Sequence, residues 1–238
     1  EGLKIGLELE QELGFNPLQY GFIGSTDTHN SAPGDTEEYD WRGGGALHDS
    51  PAKKRLNLDS VNKTFAKSTS EGARLKNPGG LAVLWAQENT RDALFEAMQS
   101  REAYATSGNR ILLRFFAGWE FPEKLINDAD LVNKAYKSGV AMGSALGSAP
   151  TADASPQFLV WAVKDSLATN LQRIQMIKGW TENGKSMEQV FDIACSDNLK
   201  PDPKTGRCPD NGASVDINTC AVRADKGAAE LKVNWTDP

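Results

Sequence analysis

The sequence predicts an α+β chain, in which an α/β part precedes a β-rich, sandwich-like part. Three observations predict it. Apolar residues near the start recur with a helical period. A second helical stripe at 93–98 follows a short apolar run. Several runs beyond residue 109 alternate apolar and polar residues with the period of a strand. The 238 residues suffice for one large domain or two small ones. Lys plus Arg is 26 and Asp plus Glu is 32, a net charge of −6, which argues against non-specific nucleic-acid binding and a basic membrane-surface patch. No apolar run reaches the roughly 18 residues of a transmembrane helix.

Residues 2–13 read as the first helix. Ile5, Leu9 and Leu13 recur every four residues beside Leu3 and Leu7, Gly14 stands at the C-cap position, and Asn16-Pro17 blocks continuation. Tyr20 to Gly24 reads as a short buried strand that runs into Ser25-Thr26-Asp27-Thr28-His29-Asn30. Residues 31–79 read as a long loop, with Gly43-Gly44-Gly45 and a Lys/Ser/Thr-rich stretch. Leu81 to Trp85 reads as a strand. Asn89 is the expected cap of the next helix, with Asp92 in a capping-box position and an apolar stripe of Ala93, Leu94, Ala97 and Met98.

From about Asn109 the pattern becomes that of strands: Ile111–Phe116, Phe158–Val163, Arg173–Ile177, the alternating run Val190–Cys195, and Glu230–Trp235. Glu182-Asn183-Gly184-Lys185 reads as a hairpin turn after Lys178-Gly179-Trp180. The expected division is therefore 1–108 and 109–238. Trp85, Trp119, Trp161, Trp180 and Trp235 fit core packing better than carbohydrate stacking, since most lie in apolar strand-like runs.

Asp27-x-His29, directly after a strand end, is the sharpest candidate site. A strand terminus holds a ligand rigidly, and carboxylate oxygen with imidazole nitrogen suits Zn, Mn or Fe(II). In extended chain both side chains point to one side, and Ser25, Thr28 and Asn30 could orient them. The plain alternative is a surface turn in which Asp27 binds local backbone amides. A second candidate set is Arg101, Tyr104, Thr106 and Ser107, where Arg could clamp an anionic substrate and Tyr or Ser orient it. Its plain alternative is an extended connector after a helix, with Arg101 favoured by the helix dipole.

The segment Gly21-Phe22-Ile23-Gly24-Ser25-Thr26-Asp27-Thr28-His29-Asn30 resembles the last metal-binding motif of the polymerase-and-histidinol-phosphatase (PHP) superfamily, with Thr26 as a departure from its Gly-Ser-Asp-x-His pattern. Gly80-Leu81-Ala82-Val83, the helix at 93–98 and Arg101-Glu102-Ala103-Tyr104-Ala105-Thr106-Ser107-Gly108 resemble its carbaryl-hydrolase-like branch. The chain is closer still to a bacterial family of unknown function within that superfamily, through Asn77-Pro78-Gly79-Gly80-Leu81, Glu88-Asn89-Thr90-Arg91, Arg114-Phe115-Phe116 and Gln175-Met176-Ile177-Lys178-Gly179-Trp180.

The resemblance implies a distorted (β/α)7 barrel with a divalent metal cluster (Mn, Zn or Fe) at its strand ends. It implies hydrolysis of phosphoesters or related small-molecule esters by metal-activated water, with Asp27 and His29 among the ligands. The superfamily's early His-x-His and middle His and Glu ligands have no match, and His48, in a Gly-rich loop, reads as solvated. We therefore expect the last elements of such a barrel followed by a β-rich domain, incomplete as a catalytic centre on its own. The start at Glu1 inside a helical pattern and the odd cysteine count lead to the same expectation of a longer protein. The opposing reading is a non-catalytic β-rich module that binds a partner protein or polysaccharide.

Cys195, Cys208 and Cys220 lie in a stretch rich in Asp, Asn, Pro and Gly that can bury little apolar surface, and no C-x-x-C occurs. A disulfide is the usual tie for such a loop, as Cys195–Cys208 or Cys208–Cys220, which leads to an expectation of export to the periplasm or another oxidising compartment, with a signal peptide upstream.

Overall fold

A computed structural model of the chain describes residues 1–26, 36–37, 40–41, 80–216, 218–219 and 221–238. These residues form a mixed α+β structure of open sheets and three α-helices, without a closed barrel among them. Two compact units emerge. One comprises residues 1–21, 99–102 and 111–238, and the other 22–98 with 103–110.

The larger unit is layered. Its central sheet has the order β10-β7-β5-β6, built from β5 (Leu112–Gly118), β6 (Val140–Ala141), β7 (Gln157–Val163) and β10 (Glu230–Thr236), all antiparallel. The alternation of β7 divides its side chains between two cores. Leu159 joins Phe116 with Phe121, Leu125, Leu131 and Ala135, which come from a 3₁₀ turn (Glu123–Asn127), the chain before it, and helix α3 (Leu131–Ser138). Val160 and Ala162 face the other way, onto Ile174 and Leu231 with Met176 and Ile193 at the margin. Those residues bring in the hairpin of β8 (Arg173–Glu182) and β9 (Lys185–Cys195), a separate two-stranded sheet. Asn183 and Gly184 turn it with positive φ at both positions, as a two-residue hairpin requires. An aromatic row, Phe115–Phe158–Trp235–Phe191, crosses the inter-sheet space with ring centroids 5.2–5.8 Å apart.

Helix α1 (Gly2–Leu13) packs against β8 and β9, and ends at Gly14 in the left-handed conformation. The expected apolar stripe is only partly covered, with Leu7 and Leu9 half-buried. Leu3, Ile5 and Leu13 are exposed, and the buried position is Gly6, where residues 16–18 fold back so closely that a Cβ would lie 2.4 Å from Asn16 Oδ1.

In the smaller unit β3 (Leu81–Leu84) pairs antiparallel with β4 (Ala103–Thr106), and helix α2 (Arg91–Gln99) lies between them in sequence. The cap of α2 is Thr90, whose hydroxyl accepts from Ala93 N at 3.3 Å, one position after the expected Asn89. Tyr20–Gly24, expected as a buried strand, joins no ladder among the described residues, and Phe22 and Ile23 are exposed. In the span expected to be loop, β1 (Thr36–Glu37) pairs with β2 (Asp40–Trp41). The rest of the predicted 31–79 loop lies outside the described residues.

Candidate functional site

Asp27 and His29, the predicted metal ligands, lie outside the described residues, as does His48. The approach to them is described up to Thr26. A Cβ on Gly24 would sit 2.8 Å from Leu81 O, and one on Gly80 would sit 3.1 Å from Ser25 N and from Gly24 Cα. Bare backbone thus packs on bare backbone: a Cβ at Gly24 would force the chain to shift, and one at Gly80 would be tight. The chain two residues before Asp27 is held against the start of β3 by this contact. Among the described residues no three His, Cys, Asp or Glu side chains gather closely enough to hold a metal ion. These residues alone therefore do not fit a metal cluster.

The second predicted set is divided by the fold. Tyr104 stands in β4, is buried at 7 % exposure and meets the Trp85 ring with centroids 6.4 Å apart. Ser107 is exposed beyond the end of β4, and Thr106 is half-buried. Arg101 follows α2 with φ 61°, a left-handed backbone that a non-glycine residue adopts at a cost. Its Nε donates to Gly143 O and its Nη1 to Gln19 O, each at 2.9 Å. The guanidinium thus fastens three chain segments through two carbonyls. Gly143 has φ 84°, and a Cβ there would meet Arg101 O at 2.3 Å.

Glu102 continues the anchorage. Its carboxylate accepts the Tyr136 hydroxyl hydrogen, while Arg114 Nη1 donates to Tyr136 Oη at 3.1 Å and lies 3.7 Å from the Glu102 carboxylate. Burial first, and the Glu102 carboxylate second, push the Tyr136 phenol above its usual pKa. The phenol therefore stays protonated and acts as a donor that ties α3 and β5 to residues 99–102.

A family model described as Protein of unknown function (DUF3604) matches residues 1–238. The chain belongs to this family. No curated protein and no solved structure matches it.

One further site in this DUF3604 chain is built around Asp192, whose side chain is 1 % exposed. It accepts from Gln175 Nε2 and Cys208 N, both at 2.7 Å, and from Arg207 Nη1 at 3.1 Å, with Arg173 Nε at 3.8 Å. Burial opposes its ionisation, but these donors outweigh it and hold the pKa below the usual carboxylate value. Cys195 and Cys208 are joined in a disulfide, with Cα atoms 5.6 Å apart. Of the two pairings open to Cys208 from the sequence, this is the one formed; Cys220 lies outside the described residues.

The sequence did not single out Asp192, Glu102, Tyr136 or Gly143. Glu102 could have been found as the neighbour of Arg101 in a motif already noted. Gly143 and Tyr136 carried no local signal.

Proposed function

We propose that this chain forms part of a metal-dependent hydrolase of phosphoesters or related small-molecule esters, with Asp27 and His29 among the ligands of a divalent Mn, Zn or Fe centre. The observation that carries the reading is the sequence Gly-Phe-Ile-Gly-Ser-Thr-Asp-Thr-His itself, oxygen and nitrogen donors two residues apart at the end of an extended apolar run. Two features support it. The Gly24–Gly80 contact fixes the chain leading to Asp27, as a ligand-bearing segment requires. Phe22 and Ile23, 59 % and 64 % exposed, carry large apolar side chains that a neighbouring barrel strand or helix would cover. On this reading residues 21–29 belong to a PHP-type barrel, and the remaining ligands come from outside this chain.

Such a metal lowers the pKa of bound water and polarises the scissile group. The residues of this chain would hold it and keep it in register: Asp27 and His29 as donors, Ser25 and Asn30 as hydrogen-bond partners that orient them. Arg101 Nε and Nη1 are committed to backbone carbonyls, so a positioning role suits it better than a substrate clamp. The disulfide supports an exported location, since such bonds persist in oxidising compartments.

The test is metal content and turnover of the full-length protein with Mn, Zn and Fe, as wild type and with Asp27→Ala or His29→Ala. We expect loss of metal and at least a hundredfold loss of turnover, on the order of what removal of a catalytic metal's support costs. Wild-type occupancy and turnover in both variants would sink the proposal. A metal-free wild type without hydrolytic activity would favour the binding module instead.

A further inference from the structure

Among the described residues of 196–227, no apolar side chain is buried in either core. Their order comes from polar contacts made locally, to the hairpin, or to Asn170 and Gln172 just before it. Asp202 accepts from Lys204 N and Thr205 N, and Asp216 from Asn218 N and Thr219 N, so these carboxylates stabilise only their own turns. Asp197 accepts from Gly227 N and Asn211 Nδ2, each at 2.9 Å. The buried Asn211 also takes Gln172 Nε2 at 3.2 Å. The only covalent tie among the described residues is Cys195–Cys208, between the last residue of β9 and the middle of this segment.

We propose that the Cys195–Cys208 bond is a redox lock: oxidised, residues 199–216 are ordered on the β8–β9 hairpin, and reduced, they are released while the two packed sheets stay folded. Asp192 makes such a release feasible. Its partners are split between the two sides of the lock, Gln175 and Arg173 on β8, Cys208 N and Arg207 on the loop. When the loop leaves, the strand-side donors remain and water replaces the rest, so no buried charge is stranded. The released segment stops short of Ala224, because Asn170 Nδ2 donates to Ala224 O at 3.1 Å and to Lys226 O at 2.7 Å whatever the state of the bond. Leu171 and Ala228 exchange two backbone hydrogen bonds of 2.8 Å, and Ala228 packs on the Val160–Leu231 core. The chemistry is thiol–disulfide exchange with a reducing dithiol. The dithiol's thiolate attacks one sulfur and the Cys195–Cys208 bond breaks. Two electrons and two protons end on the cysteine thiols, and the reductant leaves as its own disulfide.

The experiment is hydrogen exchange followed by mass spectrometry in a Cys220→Ser background, which removes other thiol exchange. The oxidised protein is compared with the same protein in dithiothreitol and with a Cys195→Ser/Cys208→Ser variant. Peptides covering 199–216 should exchange at least about tenfold faster when the bond is absent, with peptides covering 157–163 unchanged. Unchanged exchange at 199–216 would overturn the lock. Equal acceleration in both regions would overturn it too, because the bond would then staple the whole unit. If the double variant does not fold, reduction of the folded oxidised protein gives the same two readings. The lock does not depend on the proposed hydrolase activity, and either can fail without the other.

Discussion

Two regions of the larger unit reach order by opposite means. The central sheet is held by apolar area: Phe116 and Leu159, each 2 % exposed, fill one side, and Val160, Ala162 and Leu231 the other. The described residues of 196–227 add no apolar side chain to either core and are held by aspartates, amides and one disulfide. The difference teaches where each kind of perturbation will be felt. Removal of a methylene group harms the sheet, and a change in pH or redox state reaches the loop.

The largest effect is expected in the sheet. Phe116→Ala should lower unfolding free energy by about 4 kcal/mol through lost burial and a residual cavity, read as a drop in urea midpoint. A loss under about 1 kcal/mol would mean that this core is not the unit's anchor. Gly143→Ala comes next. It places a Cβ against the Arg101 carbonyl in a left-handed backbone, and about 3 kcal/mol is expected from sterics and strain together. If Gly143→Ala unfolds at the wild-type urea midpoint, the Arg101–Gly143 contact is dispensable.

Asp192→Asn should cost about 2 kcal/mol, the scale for charge-assisted bonds to a buried carboxylate, and it should sharpen the contrast by acting mainly on the loop. The pH dependence follows from the same residue. Its folded pKa is depressed, so its contribution is fully present above the unfolded carboxylate value of about 3.9 and is lost as pH falls through the folded value. Proteolytic resistance of 199–216 should therefore fall below about pH 4 in wild type, with a smaller fall in Asp192→Asn. Identical pH profiles would show that another group governs the loop. The smallest effect is expected for Tyr136→Phe, about 1 kcal/mol for a partly exposed hydrogen bond, measured by thermal melting with Arg114→Met as the companion variant.

Much of the sheet was legible because its signals are local. The strand-like run 158–163 and the alternation in 190–195 and 230–235 survive into the structure, and Asn183-Gly184 turns the hairpin as its dihedral preferences require. Helix α3 and the 3₁₀ turn were not legible. They are short, and their apolar residues, Leu125, Leu131 and Ala135, are scattered among charged ones. β4 read as a connector because Tyr104 is its only large apolar residue, and its pairing with Leu81–Leu84 is set by tertiary register. Asp192 illustrates the limit best. In the alternation of β9 it falls among the polar positions, and its partners include Arg207 and Cys208 N, which lie 15 and 16 residues away in sequence. Arg101 likewise finds its partners 42 and 82 residues away in sequence, a separation at which no periodicity carries information.

The contact between Gly24 and Gly80 has a consequence for how this chain can vary. Where side chains meet, a neighbour can shrink as its partner grows, and a lineage can drift through compensated pairs. Two backbones pressed together offer no such exchange, so Gly24 is confined to glycine and Gly80 tolerates a Cβ only if the facing chain gives way. Any attempt to reshape the segment that ends in Asp27 and His29 must therefore leave Gly24 in place and begin its changes downstream of it.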